Sequence, residues 1–441
     1  MTTQEDPLFA RRRAKIAVSP PFLRLGFRPF FLLGPAWAVI ALVLWLLTIG
    51  GVAALPTAFA PLVWHRHEML FGFVGAVVAG FLLTAIPNWT GRPAIAGWPL
   101  GALAGLWAAG RVALLVSAWT GPVAAAVLDV SFYVVLAGLV AREIVAARNR
   151  NLPIAGLVLL LGVANGADHA GAAGLLADGD LGIRAALAIM VMMISVVGGR
   201  IIPAFTRNWL VKQGIERGLP KPSPPLDLAV LALSAASLGA WTAAPDWTPA
   251  GGLLAAAAGL QFLRLSRWSG LRCARDPLVL ILHVGYLWIP AGLALLGASL
   301  LGAPVPRSAA IHALTVGAMG TMVLAVMTRA ILGHTGRELV AGLPTSLIYA
   351  LVTMGALLRV AASLGLFDYA LGMDAAAIAW AGAFILFLVR FGPMLFRPRL
   401  DSADGPAVPP RLPLAELGAV KLAPEAAEVV RSPPIARKPP P

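Results

Sequence analysis

The chain has 441 residues, 59% of them hydrophobic and only 12% charged, with a formal net charge of +14. A water-soluble domain carries about 25% charged residues, so this composition excludes an ordinary soluble fold. The positive charge does not signal nucleic acid, because the Lys and Arg residues sit between apolar runs, where they orient membrane spans.

The apolar runs are of membrane length. Lipid offers no water to unpaired backbone groups, so such segments form helices or closed barrels. Runs of about twenty apolar residues fit helices and not the roughly ten-residue alternating strands of a barrel. Spans are predicted near 31–51, 67–87, 98–118, 122–141, 153–175, 184–203, 226–243, 250–266, 277–299, 308–331, 345–366 and 375–396. The reading is an all-α polytopic membrane protein of about twelve transmembrane helices, with the lipid bilayer as its first partner. A basic segment, residues 1–30, precedes a transmembrane domain over 31–397, and a Pro-rich disordered cytoplasmic tail follows over 398–441.

Arg11, Arg12, Arg13, Lys15, Arg24 and Arg28 precede the first span and place the amino terminus in the cytoplasm. Alternating from there, the even-numbered loops gather most of the arginines, from Arg92 and Arg142 through Arg337 to Arg399. The opposite loops hold Arg66 and Arg307 together with Asp178, Asp180, Asp246 and Asp368. This segregation is consistent with twelve spans and both termini cytoplasmic. No cleavable signal is evident, because the first apolar run starts late and reaches full membrane length.

An internal repeat organises the chain. The second span opens His67-x-x-x-x-Gly72-x-x-Gly75 and ends Thr90-Gly91-Arg92; the tenth opens His312-x-x-x-x-Gly317-x-x-Gly320 and ends Thr335-Gly336-Arg337. Arg111-Val-Ala in the third span matches Arg359-Val-Ala in the eleventh. The eight-span offset suggests a four-helix unit used three times, with Pro203-x-x-Thr206 on the sixth span as a degenerate middle copy.

Histidine is the informative residue. The repeat places His67 and His312 at equivalent depth, with His65 beside the first. Two imidazoles from facing helices hold a heme iron axially or bind copper; otherwise they are interfacial polar caps. The repeat glycines admit either a flat macrocycle or a neighbouring helix. His283 lies within the ninth span, and His169 follows Asp168 in the fifth, a pair suited to relaying protons, to binding metal, or to burial beside a satisfied partner. Arg111 and Asp129 flank one turn at similar depth and are expected to pair. Arg359 lacks an obvious acidic partner, and a heme propionate is the natural one, since guanidinium binds carboxylate in a bidentate fork. His334 reads as structural, and Met190, Met192 and Met193 read as packing before they read as a Cu(I) site. The candidate cofactor-binding set is thus His67, His312, His65, Arg359 and Arg111, and the candidate metal set is His67, His312, His65, His283 and His169. The single cysteine, Cys273, excludes a disulfide framework, iron–sulfur clusters and covalent c-type heme.

Phe27-Arg28-Pro29-Phe30-Phe31, Trp64-His65-Arg66-His67-Glu68-Met69, Gly199-Arg200-x-x-Pro203-x-Phe205-Thr206, and His312 through Gly320 to Leu332-Gly333-His334-Thr335-Gly336-Arg337 together resemble the NnrS family. The resemblance covers nearly the whole chain up to the tail. It implies a bacterial inner-membrane protein containing b-type heme and copper, associated with denitrifying growth and resistance to nitric oxide, with nitric oxide as its small-molecule ligand. Heme–copper oxidases also use twelve helices in three groups of four. This chain lacks histidine on its sixth and seventh spans, where those enzymes hold copper, which disfavours their chemistry here. The competing class is a transporter of a small solute or metal ion along intramembrane His, Asp and Arg.

Overall fold

The computed structural model describes residues 7–221 and 223–400; the Pro-rich tail expected over 398–441 lies almost wholly outside the described residues. The described chain is helical from end to end. A short helix α1 (Pro7–Val18) precedes α2 (Phe27–Ile49), α3 (Pro61–Thr90), α4 (Trp98–Leu115), α5 (Pro122–Ala146) and α6 (Leu152–Ala172). There follow α7 (Leu181–Lys212), α8 (Pro224–Ala243), α9 (Thr248–Ser266), α10 (Pro277–Leu300), α11 (Arg307–His334), α12 (Leu343–Ser363) and α13 (Tyr369–Phe396). Among the described residues, eleven of these helices have the length and hydropathy to cross a membrane.

The exception is α9, the expected eighth span. It is a continuous 19-residue helix, but its many Ala and Gly residues, with Gln261 and Arg264, hold its hydropathy down. It nevertheless runs antiparallel between its neighbours. Gly251 near its start meets Gly297 near the end of α10, and Arg264 near its end donates to Tyr286 in α10 at 3.0 Å and to Asp227 at the start of α8 at 2.7 Å. Its polar residues are absorbed by neighbours: Gln261 donates to Ser195 and Ser234 and accepts from Tyr286. In lipid such internal pairing removes the cost of the polar groups.

The first span begins earlier than expected, at Phe27, and takes Arg28 inside. That guanidinium is buried and donates to the carbonyls of Leu395 and Arg397 at 2.7 and 2.8 Å, tying α2 to the end of α13. Helix α2 packs on both α3 and α13, so the bundle closes its first helices against its last. At the same end, Glu143 of α5 accepts from Arg92 at 2.6 Å and from Arg12 of α1 at 3.1 Å, which anchors the N-terminal helix. Outward-facing Ile40, Val127, Leu160, Ile378 and Val389 are exposed, as side chains facing lipid must be.

The repeat has a structural counterpart that the pattern alone did not predict. In α3 the residues after His67, Glu68–Val74, form a π-helical segment; in α11 those after His312, Ala313–Gly320, do the same. These two helices are also the most enclosed, with 83% and 72% of their membrane windows buried against at most 61% elsewhere. Both copies stop alike, because Gly91 and Gly336 take φ of +68° and +72°, the left-handed conformation that ends a helix at little cost only for glycine. The sixth span, α7, touches both π segments but is α-helical itself.

Cys273, in the loop between α9 and α10, is buried against the end of α7 and the start of α10, and burial pushes its thiol above the ordinary range. Thiolate is the reactive form, so the thiol is expected to resist a maleimide fluorophore at neutral pH and to react fully on heating. Full labelling of the folded protein within minutes would contradict this placement. As the only cysteine, it is a built-in unfolding reporter.

Candidate functional site

The π segments set the site. A π turn inserts one residue and displaces carbonyls from the i to i+4 ladder, and buried carbonyls need donors. Tyr133 of α5 donates to Phe71 O at 2.6 Å, and Trp107 of α4 donates to Gly72 O at 2.9 Å. The repeat glycines face side chains of neighbouring helices. Gly72 faces Glu68, Trp37 and Arg111; Gly75 faces the Tyr133 hydroxyl; Gly317 and Gly320 face Trp288 and Trp380.

At the start of α3, His65 and His67 point into different surroundings. His67 is fully buried in a polar cluster assembled from α3, α4, α5 and α6. Its Nδ1 lies 2.8 Å from Asp168 Oδ2 and its Nε2 lies 2.8 Å from Asp129 Oδ2. Asp129 is the hub. Its Oδ2 also accepts from Asn165 at 2.8 Å and faces His169 Nε2 at 3.2 Å, while its Oδ1 pairs with Arg111. Arg111 completes its fork on Glu68 Oε2 at 2.7 Å, which Trp37 Nε1 also reaches at 2.6 Å. The expected Arg111–Asp129 ion pair is therefore present, and the Asp168–His169 pair is part of the same network. Phe59, from the loop before α3, covers His67 and His169 edge-on.

His65 and His312 instead line one cavity of about 580 Å³ between α2, α3, α7, α8, α11, α12 and α13. This volume is in the range of pockets that hold cofactors and drug-sized ligands. The walls are largely apolar, with Trp45, Met69, Met319 and Trp380 among them. His65 stacks on Trp45, ring centroids 4.0 Å apart, and its buried Nδ1 has no hydrogen-bond partner among the described residues. His312 Nδ1 donates to Ser308 O at 2.6 Å; a carbonyl only accepts, so the neutral ring keeps its lone pair on Nε2. Arg359 lines the same cavity and, among the described residues, hydrogen-bonds neutral hydroxyls, Ser363 Oγ at 2.7 Å and Tyr369 at 3.1 Å. The rim arginines are already paired: Arg66 with Asp180 at 2.6 Å, Arg307 with Asp246 at 2.5 Å, and Arg184 with Asp178.

The structure thus brings His65, His312 and Arg359 together, and separately His67, His169 and Arg111. It does not join His67 to His312 in one pocket, although the repeat places them at matching positions. His283 is apart from both groups, with Nε2 2.8 Å from Thr206 Oγ1. His334 stacks on Phe27 at the opposite end of the bundle, and Met190 and Met193 sit in the apolar core. The sequence reading passed over Glu68 and Asn165. Asn165, Asp168 and His169 recur at helical spacing on one face of α6, and Glu68 closes the polar run His65–Glu68 ahead of an apolar one; both signals were available.

The fold and site define a polytopic α-helical membrane protein in which two repeat-related π segments flank a cofactor-sized cavity and a buried acid–histidine cluster. The chain belongs to the NnrS family: the family model described as NnrS protein matches residues 21–399. Membership makes it a membrane protein of the nitric oxide response. No curated protein matches the chain.

Proposed function

We propose that the protein binds b-type heme and copper in the bacterial inner membrane and confers tolerance of nitric oxide during denitrifying growth. Family membership supports the setting, and one observation carries the cofactor: an apolar cavity that holds two imidazoles and a guanidinium with no acidic partner among the described residues. His65 and His312 would hold the heme iron, and Arg359 would pair with a propionate. Bound heme supplies an iron centre able to take up nitric oxide. The chain's own part is orientation: Ser308 O fixes the His312 tautomer and leaves Nε2 free, and Trp45 holds the His65 ring flat against it. The arginine-rich loops around α1 and the end of α13 orient the molecule with both described termini toward the cytoplasm, and the cavity opens at the opposite end.

The test is the visible spectrum of detergent-purified protein, air-oxidised and dithionite-reduced, with and without nitric oxide. A Soret band that sharpens on reduction and shifts with nitric oxide is expected. His65→Ala and His312→Ala are each expected to lose most of the heme, and Arg359→Leu to weaken its retention. Full heme content with an unchanged spectrum in both histidine variants would overturn the assignment.

A further inference from the structure

We propose that His67, Asp129 and His169 form a divalent metal site outside the cavity, oriented by Asp168 and Asn165. This deepens the reading above and rests on its copper half, but it stands on side chains that do not line the heme cavity.

The first argument is proton counting. Asp168 Oδ2 faces His67 Nδ1, and Asp129 Oδ2 faces His67 Nε2, both at 2.8 Å. A neutral imidazole carries one N–H, so one of these contacts sets lone pair against lone pair unless a proton or a cation lies between them. His169 Nε2 lies 3.2 Å from the same Asp129 oxygen, a contact that the ring's own N–H can satisfy, so it adds a third donor atom to the cluster. The nitrogen and oxygen atoms of His67, Asp129 and His169 lie within 4.8 Å of one another, and all three residues are buried.

The second argument is charge. Ionised, Glu68, Asp129 and Asp168 would bring three negative charges, all at most 1% exposed, against the one guanidinium of Arg111. The difference of two is what a single divalent ion neutralises, and buried charge left unbalanced is costly. Three oxygens of the cluster residues are buried with no donor among the described residues: Glu68 Oε1, Asp168 Oδ1 and Asn165 Oδ1. Unsatisfied acceptors of this kind call for a cation or bound water.

The third argument is the surroundings. A ligating histidine typically gives its other ring N–H to a carboxylate, which fixes the tautomer and the ring direction. Asp168 stands in that position behind His67. The donor set is imidazole and carboxylate without sulfur, which suits Cu(II) or Zn(II) and not Cu(I). Phe59 and Phe71 pack on the rings and keep the centre dry.

The experiment is a Cu(II) titration of full-length protein stripped with EDTA in detergent, read by metal analysis and electron paramagnetic resonance. One Cu(II) per chain with nitrogen hyperfine splitting is expected. His169→Ala should lose stoichiometric copper. The near-isosteric Asp168→Asn should weaken binding on the order of ten- to hundredfold, as loss of an orienting carboxylate does. His312→Ala, on the cavity side, should keep its copper. Unchanged copper affinity in both His169→Ala and Asp168→Asn, with Cys273 still protected, would overturn the site. So would a stripped wild-type protein that takes up no Cu(II), the result expected if protons alone bridge the cluster. Loss of heme with copper retained at this site would fault only the heme assignment.

Discussion

Arg111→Leu is expected to destabilise the folded protein by about 3–5 kcal/mol, the cost of removing one partner from a buried ion pair. The guanidinium bridges Glu68 and Asp129, and each of these three side chains is at most 2% exposed. Leucine fills much of the volume but leaves two carboxylates facing each other in a medium that solvates neither. Thermal unfolding in detergent, followed by labelling of Cys273, measures the loss. The triple change Arg111→Leu, Glu68→Gln, Asp129→Asn is expected to recover part of it, because neutral groups of similar shape no longer need the cation. An Arg111→Leu protein within about 0.5 kcal/mol of wild type, the range of ordinary surface substitutions, would show that the network is not balanced as drawn.

Gly182→Ala is expected to cost about 1–3 kcal/mol, the range for forcing extra atoms into a packed core. Helices α6 and α7 touch there through their backbones. A methyl group would stand 2.6 Å from both Ala164 O and Asp168 Cα, and closer still to Asp168 N. Flexible side chains can yield to such a group, but a helix backbone cannot. The displaced turn carries Asp168 and His169, so the same change should also weaken the His67–Asp168 contact and reduce Cu(II) affinity. Gly156→Ala, on the same helix α6 but facing open space, is the control. There the higher helix propensity of alanine should leave stability unchanged or raise it by up to about 1 kcal/mol. Equal behaviour of the two variants would mean that α6 and α7 are not in contact at Gly182.

Length, hydropathy and charge along the chain were enough to determine that the protein is a helical membrane bundle and where most of its spans run. The physical reason is that lipid satisfies no backbone group, so each apolar run must close its own hydrogen bonds, whatever it packs against. The pairing of Arg111 with Asp129 was equally legible, because one turn joins their helices and fixes both depths. The repeat gave depth too, and set His67 and His312 level.

Depth is not direction. Around a helix each residue turns by about 100°, so His65 and His67 face different sides, and the π segments after His67 and His312 shift the facing again. Which imidazole looks into the cavity depends on those inserted residues and on Tyr133 and Trp107 capping the carbonyls they free. These contacts reach across dozens of positions and leave no local period in the sequence. Tertiary packing alone therefore decided that His65 shares the cavity with His312, and that His67 turns instead to Asp129, Asp168 and His169.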